Sequence, residues 1–475
     1  MVNTENPEAS ANKIIQQELL SFQDTDAGNA EAFELLYEPQ FRFNHTSGKW
    51  MVWNWRYWQE DKDGAANRAA LLTVRLRFSA AMTITNHEEM ERRTKWAKAC
   101  EAVFRLEALL KSARTIRSLA TTTEQYDQHP FLFTVANGTL DLRTGTLQPS
   151  QPQHLITRAS DVQFDASAKA PRWHQFLNQI FGGDADLIEY LQRIIGYSLT
   201  ADTREQCFFV FYGEGSNGKS TLVVTVCNLF GTHSETAEFS TLLAHHNVGS
   251  PRNDLARLHA ARFVKASEGE QEAKLAESFI KEVTGEDVVA ARFLFKEFFT
   301  FTPQFKLCLL TNHKPKIQGT DDAIWRRVRL IPFKQQFEGA NKDPELRRKL
   351  QDELPGILNW ALRGCLEWQK HGLGKAQQVE EATREYRRES DQVGRFLERQ
   401  CVRGRACTAA AQRIYRVYRD WCVDQDEKPD ANNLFARKLE QHGITKKRTS
   451  SGVVYQGLGL VPGETVNLVT AYLRG

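Results

Sequence analysis

A chain of 475 residues and 54.3 kDa exceeds what one hydrophobic core organises and points to roughly two to four domains. With 41% hydrophobic and 25% charged residues, a polar, acid-bearing N-terminus and no apolar run of about 18 residues, the sequence argues against a membrane-spanning helix and a secretory signal. A net charge of +3 and a pI near 8.3 exclude a general polycation, so any affinity for nucleic acid has to come from local patches.

In chain order, residues 1–30 read as a polar tail with one short helix. From Phe41 to Trp58, FRFNHTSGKWMVWNWRYW alternates apolar and polar residues on either side of His45, Thr46, Ser47 and Gly48, the pattern of a β-hairpin. Its tryptophans suit either a core or stacking on bases. A basic helical stretch runs from about His87 to Leu119. Asn137 and Gly138 open a second hairpin, the polar QPSQPQ follows, and Trp173 to Ser198 is helical again. Between Cys207 and Phe337 strands and helices alternate, the signature of an α/β core with a parallel sheet. Past Gly374 the chain is helical and highly charged, and a small unit closes it from about Thr408 to Leu460. The eight cysteines form no CxxC pair and stand with no histidine cluster, which argues for reduced thiols, no zinc site and a cytoplasmic protein.

The α/β segment carries the chemistry. The apolar strand Cys207 to Tyr212 runs into Gly213, Glu214, Gly215, Ser216, Asn217, Gly218, Lys219, Ser220 and Thr221, and a helical pattern follows. This is GxxxxGK[ST] in its required strand–loop–helix context. The glycines let backbone N–H groups face phosphate oxygens, and the helix N-terminus adds its positive end. Lys219 is placed to reach the β- and γ-phosphates of ATP, and the Ser220 hydroxyl to ligate Mg²⁺. A second strand ends in Ala266, Ser267, Glu268, Gly269 and Glu270; Glu268 is the first candidate to polarise the attacking water and to serve the metal, with Glu270 in reserve. Ser267 stands where a second metal-binding acid is expected. A third strand stops at Thr311, Asn312 and His313, where an Asn can bond the γ-phosphate and the lytic water. Arg326 and Arg327 precede a fourth strand. Either can be an arginine finger, which in a ring comes from the neighbouring subunit; sequence does not choose between them.

The run GEGSNGKST, ASEGE, VTGEDVVAARFLFKEFFTF, LLTNHKP and GTDDAIWRRVRLIPF resembles the superfamily 3 helicases, specifically the phage and plasmid primase-helicase family related to the poxvirus primase-helicase. The upstream FRFNHTSGKWMVWNWRYW, NGTLDLRTGTL and LQRIIGYSLT resemble the domain preceding the helicase there, and the likeness covers about residues 30 to 460. It implies a hexameric AAA+ type ring that translocates on single-stranded DNA, usually 3′ to 5′. It implies nucleotide binding by Lys219 and Ser220, Glu268 at the second acidic position, Asn312 as sensor, and Arg326 or Arg327 as finger. It also implies a β-hairpin from Ala290 to Thr302 projecting into the ring channel, with Lys296 at its tip, Arg292 on its ascending strand, and Phe295 and Phe298 nearer core than base. Only about thirty residues precede the resembling region, so no primase activity is expected of this chain.

In the C-terminal unit, Ile414, Tyr415, Val417, Tyr418 and Trp421 form a helical apolar stripe, NNLFARKLEQH a second helix ended by Gly443, and ITKKRTSSGVVYQGLGL a basic hairpin. Helix, helix and wing point to a winged helix, in which Arg437, Lys438, Lys446, Lys447 and Arg448 contact phosphates; docking of a protein is the rival use.

The expected architecture is therefore α/β: an α+β N-terminal domain (31–165) after the tail, a helical connector (166–200), an AAA+ type P-loop core (201–374), a charged helical linker (375–402) and a winged-helix-like domain (403–475). The expected function is an ATP- and Mg²⁺-dependent helicase on single-stranded and forked DNA in replication of a mobile element, working beside a separate primase or polymerase. An initiator, loader or adaptor without processive unwinding is the alternative.

Overall fold

The computed structural model describes residues 7–243, 253–267, 274–292, 298–317, 319, 322–339, 342–450 and 452–461. Among them, no helix is long and apolar enough to cross a membrane.

The chain opens with α1 (Pro7–Ser21) and α2 (Asp26–Tyr37), the latter started by Thr25, whose side chain accepts from the Gly28 N–H. Leu19 of α1 is buried with Ala32 and Ala80, so the expected polar tail supplies core residues. β1 (Phe41–Asn44) and β2 (Lys49–Trp53) form the expected hairpin, held at its turn by the Asn44 carboxamide oxygen accepting from Thr46 and Ser47 N–H. β3 (Trp58–Glu60) extends it. After α3 (Ala65–Ala81), α4 (His87–Ala99) and α5 (Val103–Ala113), β4 (Ala120–Thr121) pairs in parallel with β1. Trp50, Trp53 and Trp58 are core, while Trp55 stands 75% exposed. A small antiparallel sheet follows, of β5 (Leu132–Val135), β6 (Gly138–Asp141) and β7 (Thr146–Gln148). Then come α6 (Pro171–Phe181) and α7 (Ala185–Leu199), which bury one apolar face each.

The central sheet is built from β8 (Phe208–Tyr212), β9 (Ser234–Ala237), β10 (Phe263–Ser267), β13 (Lys306–Thr311) and β14 (Val328–Pro332). Every pairing is parallel, in the spatial order β14-β8-β13-β10-β9. Both faces are covered: Phe209 and Phe211 enter one hydrophobic cluster, Phe208 and Val210 another. That is why β8 reads as a continuous apolar run. Between the strands lie α8 (Lys219–Phe230), α9 (Asn253–Ala256), α10 (Glu277–Thr284), the antiparallel pair β11 (Val289–Ala291) and β12 (Phe299–Phe301), and α11 (Asp322–Trp325). α12 (Leu346–Asp352) and α13 (Leu354–His371) close one side. α14 (Gln377–Ser390) covers the edge strand β14, and its Thr383 hydroxyl accepts the Leu330 N–H at 3.0 Å.

At the C-terminus, α15 (Gln392–Gln400), β15 (Cys401–Ala410), α16 (Ala411–Asp424), α17 (Asn432–Gln441) and β17 (Gly452–Leu460) share one hydrophobic cluster, and the exposed β16 (Thr445–Thr449) pairs with β17. The sheet order is β15-β17-β16. α15, expected in the linker, packs in this cluster through Val393, Phe396 and Leu397.

Two buried cations join the sheet to what precedes it. Arg262 donates to Leu199 O at 2.5 Å and Leu132 O at 2.6 Å, and burial lowers its pKa to about 10. Lys306 donates to Thr200 O and Asp202 O and lies 4.6 Å from the Tyr197 ring. Both thus bind carbonyls at or just past the C-terminus of α7, the negative end of that helix. Replacing Arg262 with Met leaves those carbonyls buried without donors, at a cost of about 3 kcal/mol. The Arg262→Met chain is expected to melt at least about 5 °C lower in calorimetry; an unchanged melting temperature would remove this anchoring role.

Candidate nucleotide site

Parallel pairing brings the C-terminal ends of β8, β13 and β10 to one rim. Thr311 lies opposite Tyr212, and Ser267 opposite Leu310. The phosphate-loop sequence leaves β8 at this rim and turns into α8. Two glycines are obligatory. Gly213 sits at φ +156°, where a Cβ would meet Phe333 O at 2.3 Å, and Gly218 at φ +88°, where it would meet Ile180 Cγ2 at 2.5 Å. The loop is cross-braced by Asn217, whose amide donates to Glu214 O and to Phe333 O. Sequence reasoning placed Asn217 in the loop but gave it no such role, because Phe333 is 116 residues away.

Lys219 is buried, and its ammonium points back into the loop. It donates to Gly213 O, to Glu214 O at 3.3 Å, to Asn217 Oδ1 at 3.1 Å and to Asn312 Oδ1 at 3.1 Å. Asn312, just past the end of β13, thus meets the lysine that follows the loop after β8. Among the described residues no carboxylate pairs with Lys219, and burial lowers its pKa to about 8. A cation desolvated against neutral dipoles fits an incoming polyanion, which would replace weak acceptors with charged ones. Glu214, Gly215 and Ser216 are exposed around it, as is Ser220 at the start of α8; Thr221 is half-buried. Glu268 and Glu270 lie outside the described residues, directly after Ser267.

The two arginines separate. Arg327 is 8% exposed, with Nε donating to Thr284 Oγ1 at 3.2 Å and a terminal nitrogen to Ala323 O at 2.7 Å. It is tied into its own subunit and withdrawn as a finger. Arg326 is exposed, with no side-chain partner among the described residues. Further corrections concern the basic residues. Lys438 is buried and paired with Asp430 at 2.8 Å, so it cannot reach a phosphate. Lys446 is exposed but paired with Glu440 at 3.0 Å, whereas Arg437, Lys447 and Arg448 are exposed on α17 and β16. The stem of the expected channel hairpin exists: Ala290 pairs with Thr300 and Ala291 with Phe299. Its tip, with Phe295 and Lys296, lies outside the described residues. Arg292 stacks its guanidinium 4.7 Å from the ring of Phe298, which is solvent-exposed rather than core.

Residues 30–182 match the family described as D5 N terminal like, and residues 211–327 a family of unknown function (DUF5906). Putative helicase L207/L206 of Acanthamoeba polyphaga mimivirus is 28% identical over 342 residues, 66% of this chain and 35% of that protein. Primase D5 of Fowlpox virus (strain NVSL) is 30% identical over 163 residues, 32% of this chain and 20% of that protein. These matches support a primase-helicase family. The chain spans only 25% to 39% of the length of the first four viral relatives it matches. Among solved structures, the apo C-terminal region of NrS-1 aligns over 90% of this chain and 98% of that one at a TM-score of 0.49 and 10% identity.

The geometry around Lys219 sets a titration. In the free chain, ¹⁵N-resolved lysine NMR is expected to find one ammonium titrating near pH 8, and Lys219→Arg to remove that signal. Asn312→Ala deletes an acceptor that stabilises the charged form, so it should shift this titration further down. A Lys219 that titrates above pH 10 would show that burial does not desolvate it.

Proposed function

We propose that this chain is an ATP-hydrolysing subunit of a helicase ring that moves on single-stranded DNA during replication of a mobile element. The observation that carries the reading is the meeting of the Lys219 ammonium with loop oxygens and with Asn312 Oδ1 at the rim of a parallel sheet. The 5-1-4-3-2 order of strands, counted along the sheet from β14, supports an AAA+ type core. The names of the viral relatives support a place in replication.

In this reading Lys219 and the α8 N-terminus hold the β- and γ-phosphates of ATP. Magnesium, bound with the nucleotide and held by Ser220, would neutralise phosphate charge. Water attacks the γ-phosphorus, the bond to the β-phosphate oxygen breaks, and the water's proton passes to Glu268, with Glu270 in reserve. Asn312 orients the water or the γ-phosphate. The finger is Arg326, acting on another copy. Val328 lies opposite Phe208 and Pro332 opposite Tyr212, so Arg326 precedes the far end of β14. At roughly 3.3 Å per residue, the strand alone separates it from its own loop by more than an arginine side chain spans. Arg292 and Lys296 would grip single-stranded DNA from the channel hairpin. The order α15-β15-α16-α17-β16-β17 supports a winged helix that presents Arg437, Lys447 and Arg448 to duplex phosphates.

Lys219→Ala should abolish ATP hydrolysis, and Glu268→Gln should bind ATP without turnover. Arg326→Ala and Lys219→Ala chains, each inactive alone, should regain hydrolysis when mixed, because one supplies the loop and the other the finger. No recovery in verified mixed rings would overturn the shared site.

The motor is tested by strand displacement on forked DNA with ATP. Lys296→Ala is expected to stop unwinding and DNA stimulation while basal hydrolysis persists. It should also flatten the salt dependence of single-strand binding by about one log-log unit per lost contact. Unimpaired unwinding by Lys296→Ala would remove the channel assignment; hydrolysis without any unwinding by the native chain would leave an initiator or adaptor.

A further inference from the structure

A second feature lies on the far edge of the sheet. β14, α11 and α14 enclose a groove of about 620 Å³, floored by Trp325 and Val328 and reached by Tyr190 of α7. Five cations line it, against the carboxylates of Asp322 and Glu380. Three are already committed. Arg387 pairs with Asp322 at 2.6 Å, Lys375 lies 3.5 Å from Glu380, and Arg329 donates to Arg326 O at 2.6 Å and Val328 O at 3.0 Å. The two that remain, Arg326 and Arg384, are exposed and have no side-chain partner among the described residues. They approach the groove from different elements: Arg326 from the end of α11, Arg384 from the α14 face whose Thr383 is bonded to Leu330. α14 is therefore fixed against β14, and Arg384 lines the same groove as Arg326.

Two unneutralised guanidinium groups on one groove repel each other and lower no energy in the isolated chain. An anion between them removes that cost, and guanidinium forks match phosphate oxygens. We infer that Arg384 is a second contact to the triphosphate of the nucleotide held by a neighbouring copy, closing with Arg326 on the γ- and β-phosphate oxygens that the neighbour's Lys219 leaves open. The inference rests on the reading of Arg326 as a finger in trans and adds to it a residue outside the run of helicase-like segments. Arg384 was not singled out by the sequence, where it sits in the charged stretch EEATREYRRES.

The test uses the whole chain carrying Arg384→Ala, Arg384→Lys or Arg326→Ala, assayed for hydrolysis at saturating ATP. Arg384→Ala is expected to lose roughly 10- to 100-fold in kcat, the effect of one charge-assisted contact. Arg384→Lys, which keeps the charge but not the fork, should recover part of it. Mixing Arg384→Ala with Lys219→Ala should restore hydrolysis, since the second chain supplies Arg384 to the intact loop of the first. The melting temperature should not change, because the side chain has no partner to lose. Native kcat in Arg384→Ala beside an inactive Arg326→Ala removes Arg384 and leaves the finger. Native kcat in both removes the shared site itself. If Arg384→Ala instead fails to assemble, or loses single-stranded DNA binding without nucleotide, the groove serves another occupant and the inference falls.

Discussion

Parallel pairing of β8 with both β13 and β14 is the constraint on which the rest depends. One register sets Thr311 beside Tyr212, and so Asn312 beside the loop that follows β8. The other sets Val328 beside Phe208, at the far end of the same strand. Parallel neighbours cannot be joined by tight turns, so every connection crosses a face of the sheet and brings its helix along. Chain ends of one kind therefore gather at one rim. The phosphate loop, the sensor-like Asn312 and the strand preceding Glu268 collect there because of topology, before any side-chain chemistry is considered.

Buried lysines occur at both ends of this sheet and differ in a useful way. Lys306 binds carbonyls of Thr200, Asp202 and Gln304 and lies over the Tyr197 ring, all on backbone fixed by packing. Burial pushes its pKa well below the usual lysine value, yet its partners belong to the connection with α7. Lys219 also binds only neutral oxygens, but three of those acceptors lie in an exposed loop and the fourth is a side chain at a strand end. An anion can exchange with Lys219's partners without breaking the core, whereas nothing can exchange with those of Lys306. Depressed lysine pKa values alone do not separate the two; the place of the acceptors does, in the loop at the sheet rim for Lys219 and in the connection with α7 for Lys306.

The turn from Gly213 to Gly218 was legible in the sequence because its geometry is a backbone requirement. Gly213 and Gly218 sit where a Cβ collides, so the residue types record the conformation directly. The hairpin at Asn44 was legible for a similar local reason, its side chain bonding the N–H groups of Thr46 and Ser47, whereas the Asn137 side chain bonds Phe164, 27 residues on. What sequence could not resolve depended on distant partners. Arg326 and Arg327 are adjacent, and only the contact of Arg327 with Thr284, 43 residues away, separates them. Lys438 read as a surface cation until Asp430, across the turn between α16 and α17, paired with it. Leu19 sat in a polar segment and became core because α2 and α3 supply Ala32 and Ala80 against it. Family resemblance carried the hairpin from Ala290 to Thr302; its stem is paired as expected, though the sequence placed Phe298 in a core that the fold does not provide.

The proposed site shared between copies would have a mechanical consequence within each copy. Ile324 and Trp325, which immediately precede Arg326, lie in the same hydrophobic cluster as Val289, Ala291, Phe299 and Phe301 of the hairpin stem. His259 packs edge-on against both Phe299 and Phe301, at 5.8 and 5.4 Å between ring centroids, and ties the stem to the chain entering β10. Close-packed side chains transmit displacement because they leave little free volume to absorb it. In the proposed motor, movement of Arg326 onto a neighbour's phosphate therefore shifts a body that includes the hairpin base. In that reading the coupling needs no separate lever: the residues packed beside Arg326 also hold the stem, and loss of the γ-phosphate would release both together.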